Sequence, residues 1–283
     1  MTSPDPSDIQ LVIRALLSPE DYRAFEALQR EVWGKNLVEV VTPSMAAIVQ
    51  KIGGIAAGAF DERGEMVGFV FGFTGCRDGL LVHWSHMLGV REGLRNSGVG
   101  RRLKLYQREE LLKLGVDAVF WTFDPLVARN AFFNFNRLGV SAEEYVVDMY
   151  GAGDDSELFR GLGTDRLIVV WRIGKEYIKL ALDGRLTFDS RPYSKVPVVV
   201  SRMVEDDSTS PPVLKKDVHE ERIRIEIPPE IHLVRDTSAS AASAWRSMTR
   251  TAFQSAFSNR YEVSGFYRDE ASGRCFYCLQ KRI

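Results

Sequence analysis

The chain has 283 residues, 45% of them hydrophobic, enough material for one large or two modest domains with a real core. Its 37 Lys and Arg balance 38 Asp and Glu to a net charge of −1. That balance excludes a global pull toward nucleic acid or an anionic membrane, so any phosphate must be held locally. The opening Met1–Pro6 stretch is polar and leads into no signal-like apolar run, no segment reaches transmembrane length, and there are three cysteines. A cytoplasmic protein with reduced thiols is the expectation. Cys275-Phe276-Tyr277-Cys278 has redox-like spacing but sits in a strand-like run, where residues three apart face opposite sides. No second Cys or His pair offers metal-ligand spacing, so no metal is expected.

Residues 9–14 alternate like a short strand, with Ile9, Leu11 and Ile13 on one face. Ser18-Pro19-Glu20-Asp21 then opens a helix: a capping hydroxyl, a first-turn proline and acids at the positive dipole end. Tyr22, Phe25, Leu28 and Val32 form its apolar stripe, and Gly34 stops it. Thr42-Pro43 opens a second helix that Gly53-Gly54 ends. Residues 55–60 and 66–73 read as strands around the turn Asp61-Glu62-Arg63-Gly64. A third strand-like run covers 81–90.

The stretch Arg95-Asn96-Ser97-Gly98-Val99-Gly100-Arg101 follows that strand, and a helix-spaced segment follows it, ending at Gly115. A strand, a glycine-bearing turn and a helix start bring unpartnered amides and a positive dipole end to one point, which suits phosphate. Gly98 and Gly100 permit close approach of a ligand to the backbone, and Arg95, Arg101 and Arg102 add charge. Val99, Leu103, Tyr106 and Leu114 make the helix's apolar face, interrupted by Glu110.

The order continues with a continuous apolar strand at 118–122, a helix opened by Asp124-Pro125 and closed by Leu138-Gly139, and strands at 144–149 and 167–173. Residues 205–212 are polar, charged and proline-ended, the best linker in the chain. After it come a strand (222–227), a long helix with the stripe Ala241, Trp245, Met248 and Ala252, and two strands (261–267 and 274–280). This order either repeats that of residues 118–173 or belongs to an unrelated α/β appendage. The expected organisation is a domain at 1–175, a connecting segment at 176–217 and a C-terminal α/β region at 218–283.

The Arg95-x-x-Gly98-x-Gly100 pattern resembles motif A of the GNAT superfamily of N-acetyltransferases, and the element order extends that resemblance over residues 10–173. It lacks the G-x-G-x-x-G and ribose-directed acid of a dinucleotide fold. The resemblance implies an α/β fold with a mixed, splayed sheet flanked by helices, and acetyl-CoA or another acyl-CoA as co-substrate. The loop from Arg95 to Arg101 would hold the pyrophosphate. The backbone of Leu88, Gly89 and Val90 would pair with the pantetheine arm like an added strand. The reaction implied is direct attack of an amine on the bound thioester. The acceptor is then a small-molecule or peptide amine; nucleic acid and membrane are not expected, and a homodimer is compatible with the chain.

The chemistry is less legible. The family's usual thiolate-side tyrosine falls at Phe135, which carries no proton to donate. Phe135 reads as core or as a wall of the acyl slot. A non-catalytic acyl-CoA-binding protein is therefore the competing reading. Asn130 and Asn134, one turn apart on an otherwise apolar helix, either bond nearby backbone or contact the ligand. The family's cofactor-touching asparagine would count to Ala128, two residues away. Of His83 and His86, alternation places His86 on the face of Trp84 and Leu88, where a neutral imidazole could accept a proton from an incoming ammonium. Glu65, Glu143 and Glu144 are rivals for that role.

Overall fold

The computed structural model describes residues 10–35, 39–151, 162–185, 188–203, 207, 210–215 and 219–282. They fall into two compact units that divide at Trp121/Thr122, with residues 172–174 returning to the first. The first unit runs β1 (Val12–Ala15), α1 (Pro19–Trp33), α2 (Pro43–Lys51), β2 (Ile55–Phe60), β3 (Met66–Arg77), β4 (Leu80–Val90), α3 (Val99–Lys113) and β5 (Ala118–Phe123), whose last two residues belong to the second unit. Its strands lie in the order β1-β2-β3-β4-β5, antiparallel up to β4, with β4 and β5 parallel. The expected strand at 9–14 begins later, at Val12, and Ile9 lies outside the described residues.

α1 begins as its sequence predicts. Ser18 Oγ accepts from the Asp21 amide at 3.2 Å, and the Asp21 carboxylate accepts in turn from the amides of Ser18 and Leu17. Arg14 of β1 donates to both Asp21 oxygens, at 2.5 and 2.9 Å, and holds that carboxyl down at about 2. This fixes α1 against the first strand. One face of the sheet is then closed by Phe25 and Leu28 of α1 and Val49 of α2, packed with Phe69 and Phe71 of β3. Phe25 and Phe69 meet edge to face, with centroids 4.9 Å apart.

α3 covers the opposite face. Val99 and Leu103 lie over Gly68, where an added Cβ would come within 3.1 to 3.2 Å of both side chains. The buried positions of α3 are Val99, Leu103, Lys104, Gln107 and Leu111, so two polar residues stand where an apolar stripe predicts Tyr106 and Leu114. Leu114 is exposed, and Glu110 pairs with Lys113 at 2.6 Å.

The second unit continues from the end of β5 through α4 (Ala128–Phe132), a π-helical turn (Phe133–Leu138), β6 (Ser141–Val146), β7 (Arg166–Arg172) and α5 (Glu176–Leu182). β8 (Val198–Arg202), β9 (Pro212–Leu214), β10 (Arg222–Ile227), α6 (Ile231–Thr237), α7 (Ala239–Ser258), β11 (Tyr261–Arg268) and β12 (Cys275–Lys281) follow. Residues 176–217, expected as a connection, thus carry a helix and two strands; of the expected linker, 205–206 and 208–209 lie outside the described residues. The helix after β5 starts at Ala128 rather than at Asp124, because Asp124 closes a turn by accepting from the Leu126 amide at 2.8 Å. The expected strand at 144–149 lies at 141–146, and residues 147–150 turn. The long C-terminal helix is split at Ser238, whose hydroxyl caps α7.

The C-terminal sheet has the order β11-β12-β10-β8-β9. β10 is antiparallel to β12 and β12 to β11, while β8 and β10 are parallel. The parallel pair β8/β10 has a counterpart in the parallel pair β4/β5 of the first unit.

Candidate functional site

β4 and β5 pair only over Val82–Trp84 against Ala118–Phe120. Beyond Trp84, β4 runs on to Val90 bonded to β3 alone, so among the described residues no strand occupies its other edge from Ser85 to Val90. The two parallel strands separate at this point, as a splayed sheet requires. A bulge accompanies the separation. Phe71 pairs with Met87 and Gly72 with Ser85, leaving His86 as the extra residue of β4. Gly72 makes the bulge sterically feasible, since a Cβ there would sit 2.3 Å from the His83 ring and 2.4 Å from the Trp84 carbonyl.

The bulge resets which side chains face which helix. His83 and Ser85 face α3, through bonds to Gln107 and Lys104. His86 faces the rings of Phe71 and Phe73, and Met87 packs on the core under α1. Leu88 and Val90 return to the α3 side, 3.8 Å from where a Gly100 Cβ would stand. The expectation that His86 shares a face with Leu88 is therefore corrected: unbroken alternation predicts it, and the bulge breaks the alternation between them.

The loop after β4 contains a 3-10 turn at Glu92–Leu94, then Asn96 and Gly98 in the left-handed region at φ +67° and +84°. Gly98 is the residue before the first turn of α3, and the helix's first bond runs from the Arg102 amide to the Gly98 carbonyl at 3.0 Å. The amides of Val99 and Gly100 precede that bond and point out along the helix axis. Ser97 Oγ donates to the Leu94 carbonyl at 2.6 Å and stiffens the turn. Gly98 needs a glycine for its dihedral. Gly100 does not: its φ is not positive, and a Cβ would meet only Leu88 and Val90 at ordinary contact distance. Among the described residues nothing requires a glycine at 100. Arg95 is exposed, 3.9 Å from Glu92; Arg101 is half-buried; Arg102 donates to the Leu11 carbonyl at 2.7 Å.

Beneath β4 lies a buried polar chain that apolar-stripe reasoning misses. Thr74 Oγ1 donates to the Gly53 carbonyl at 2.6 Å, so it accepts from His83 Nδ1 at 3.0 Å. His83 Nε2 is then the acceptor for the Gln107 amide at 3.1 Å, and Gln107 Oε1 accepts from Lys104 Nζ at 3.1 Å. Lys104 Nζ also donates to Ser85 Oγ at 2.7 Å and lies 3.9 Å above the Trp121 ring. His83 is 0% exposed and Lys104 2%. Burial, with the Lys104 charge nearby, pushes His83 down to about 3, so it stays neutral; burial pushes Lys104 down to about 7. The signals that could reveal this chain are the four-residue spacing 99-103-107-111 and the two-residue spacing of His83 and Ser85.

His86 is held below the ordinary histidine value by burial, against an opposing pull from Glu39. In the second unit, Asn130 is half-buried, and Asn134 is buried with its carbonyl accepting from the Val140 amide at 3.2 Å. Their reading as ligand contacts rests on the sequence alone. Phe135 packs edge to face on Phe123 and Tyr277 in that unit's core. Cys275 and Cys278 are buried, both thiols pushed up by burial, Cys275 to about 11. Among the described residues no cluster of three His, Cys, Asp or Glu could hold a metal, and no helix is long and apolar enough to cross a membrane.

No protein-family model matches the sequence, and no curated protein matches it. Solved structures with a similar arrangement include a NatC complex bound to Gag peptide and CoA, 12% identical over 58% of this chain and 99% of its own, with a TM-score of 0.47. The ribosomal-protein-S18-alanine N-acetyltransferase from Escherichia coli is 18% identical over 59% of this chain and 96% of its own, TM-score 0.45. An aminoglycoside 6'-acetyltransferase type Ii is 17% identical over 59% and 99%, TM-score 0.46. The element order, the separation of β4 from β5 and the glycine loop between them give the chain the GNAT-type fold that its Arg95–Gly100 motif implies.

Proposed function

We propose that the chain is an acyl-CoA-dependent N-acyltransferase, with acetyl-CoA as the first donor to test. One observation carries the reading: the unpaired edge of β4 ends directly at a glycine loop that presents the N-terminus of α3, with an unforced glycine at 100. The loop from Arg95 through Asn96, Ser97, Gly98, Val99 and Gly100 to Arg101 holds the pyrophosphate through backbone amides and the helix dipole. The open edge at Leu88, Gly89 and Val90 bonds the pantetheine arm as an added strand. The thioester then lies upstream along β4, toward the bulge at His86. An amine arriving as an ammonium gives up its proton to neutral His86, directly or through water, and attacks the thioester carbon. The C–N bond forms, the nitrogen loses its second proton to solvent, the C–S bond breaks, and CoA departs as a thiolate that must be protonated.

Phe135, packed in aromatic core, supports the competing reading of an acyl-CoA-binding protein without turnover. A screen of peptide N-termini, polyamines and aminoglycosides for acetyl-CoA-dependent thiol release separates the two. Release with any amine, weakened in His86→Ala at unchanged acetyl-CoA affinity, is the expected result. Tight acetyl-CoA binding with no release from any amine would favour the binding protein.

A further inference from the structure

Where β4 and β5 part, the last paired residues are Trp84 and Phe120, and the next residue on each strand is Ser85 and Trp121. Lys104 reaches both from α3, 2.7 Å from Ser85 Oγ and 3.9 Å from the Trp121 ring centroid. A buried cation thus plugs the apex of the splay with no carboxylate beside it among the described residues. Burying an ammonium against a hydroxyl, an amide and an indole costs stability, and an apolar side chain of the same length would be cheaper. The arrangement is also fixed in direction. Donation runs outward from Lys104: to Gln107, and from there through His83 and Thr74 to the Gly53 carbonyl, and separately to Ser85. Ser85 Oγ therefore accepts from Lys104, and its own proton is not used in that chain.

We propose that Ser85 is the acid on the thiol side of the transfer, with Lys104 as the positioning residue that holds and recharges it. The inference rests on the acyltransfer reading above and answers the question that Phe135 leaves open. As the C–S bond breaks, the sulfur keeps the bonding pair and takes the Ser85 hydroxyl proton; Ser85 takes a proton from Lys104 Nζ, leaving a neutral amine. Solvent returns that proton after CoA leaves. Lys104, lowered to about 7 by burial, exchanges a proton readily near neutral pH, unlike an ordinary lysine. The titratable group facing it is His83 of β4, which stays neutral; Gln107 of α3, Thr74 of β3 and Trp121 of β5 do not titrate in this range.

The test needs no acceptor. CoA is bound to wild type, Ser85→Ala and Lys104→Met, and its thiol is titrated by thiolate ultraviolet absorbance while calorimetry reports affinity. A donor aimed at the sulfur favours the thiolate, so bound CoA should titrate about one pH unit or more below free CoA in wild type. Ser85→Ala should abolish the shift and Lys104→Met should reduce it, both at unchanged CoA affinity. Equal thiol titration in wild type and Ser85→Ala would overturn the proposal. Absence of CoA binding to wild type would instead overturn the acyltransfer reading. If Lys104→Met does not fold, Ser85→Ala decides alone, because it removes one surface-poor hydroxyl and leaves Lys104 bonded to Gln107.

Discussion

The first unit contains the parallel pair β4/β5 and the second the parallel pair β8/β10. They differ in what joins them. β4 reaches β5 through a left-handed glycine, a helix N-terminus and the 15-residue α3. β8 reaches β10 through β9 and, among the described residues, no helix at all. The second unit also pairs buried carboxylates with its own arginines. Glu226 of β10, fully buried, accepts from Arg202 at 2.7 Å and Arg274 at 2.6 Å, and Asp124 accepts from Arg246 at 2.6 Å. Sheet order alone therefore does not make an anion site. What the first unit adds is a helix start with glycines, and that is where the proposed function puts the pyrophosphate.

The largest expected effect tests whether the second unit is structural. Glu226→Ala removes the carboxylate shared by buried Arg202 and half-buried Arg274 and should cost about 3–5 kcal/mol in denaturant unfolding, with acetyl-CoA affinity of the folded protein unchanged. A matching loss of affinity would break the contrast between the two regions. Lys104→Met comes next. The folded pKa of Lys104, about 7, is below its unfolded value of 10.5, so between these pH values the unfolded chain binds the extra proton. The penalty for burying the charge is full below pH 7 and disappears as pH rises toward 10.5. Lys104→Met should thus be more stable than wild type at pH 6, by a few kcal/mol, and the gap should close by pH 10. A gap that is flat with pH in paired thermal melts would remove the buried charge from the account. The smallest effects separate the two loop glycines. Gly98→Ala forces a left-handed alanine and should cost about 1 kcal/mol. Gly100→Ala, with room for its methyl, should gain up to about 1 kcal/mol through helix propensity and yet weaken acetyl-CoA binding. Opposite signs for stability and affinity at Gly100 are the signature of a residue kept for its ligand.

Most of the first unit is legible in the sequence because local chemistry and tertiary packing agree there. Ser18 and Thr42 cap where their patterns say, and the turn at Asp61–Gly64 joins the predicted strands. Departures arise where a long-range bond outweighs a local signal. Asp124 reads as a helix cap but is engaged by Arg246, which is 122 residues away. Lys104 and Gln107 fall outside the apolar stripe read from the sequence because lysine and glutamine rarely go inside; their partners Ser85 and His83 on β4 are far away in sequence. The β4 bulge leaves no trace in composition, since it is set by pairing register with β3 and by the space over Gly72. It is nevertheless what separates His86 from Leu88.

The proposed acyltransfer depends on pyrophosphate binding by the Arg95–Arg101 loop. It is tested most directly by calorimetric titration of wild type and Gly100→Asp with acetyl-CoA and with acetyl-pantetheine, which lacks the pyrophosphate. Wild type should bind acetyl-CoA at least about 100-fold more tightly than acetyl-pantetheine, about 2.7 kcal/mol, and Gly100→Asp should erase the difference. Equal binding of the two ligands by wild type, or binding of neither, would contradict it.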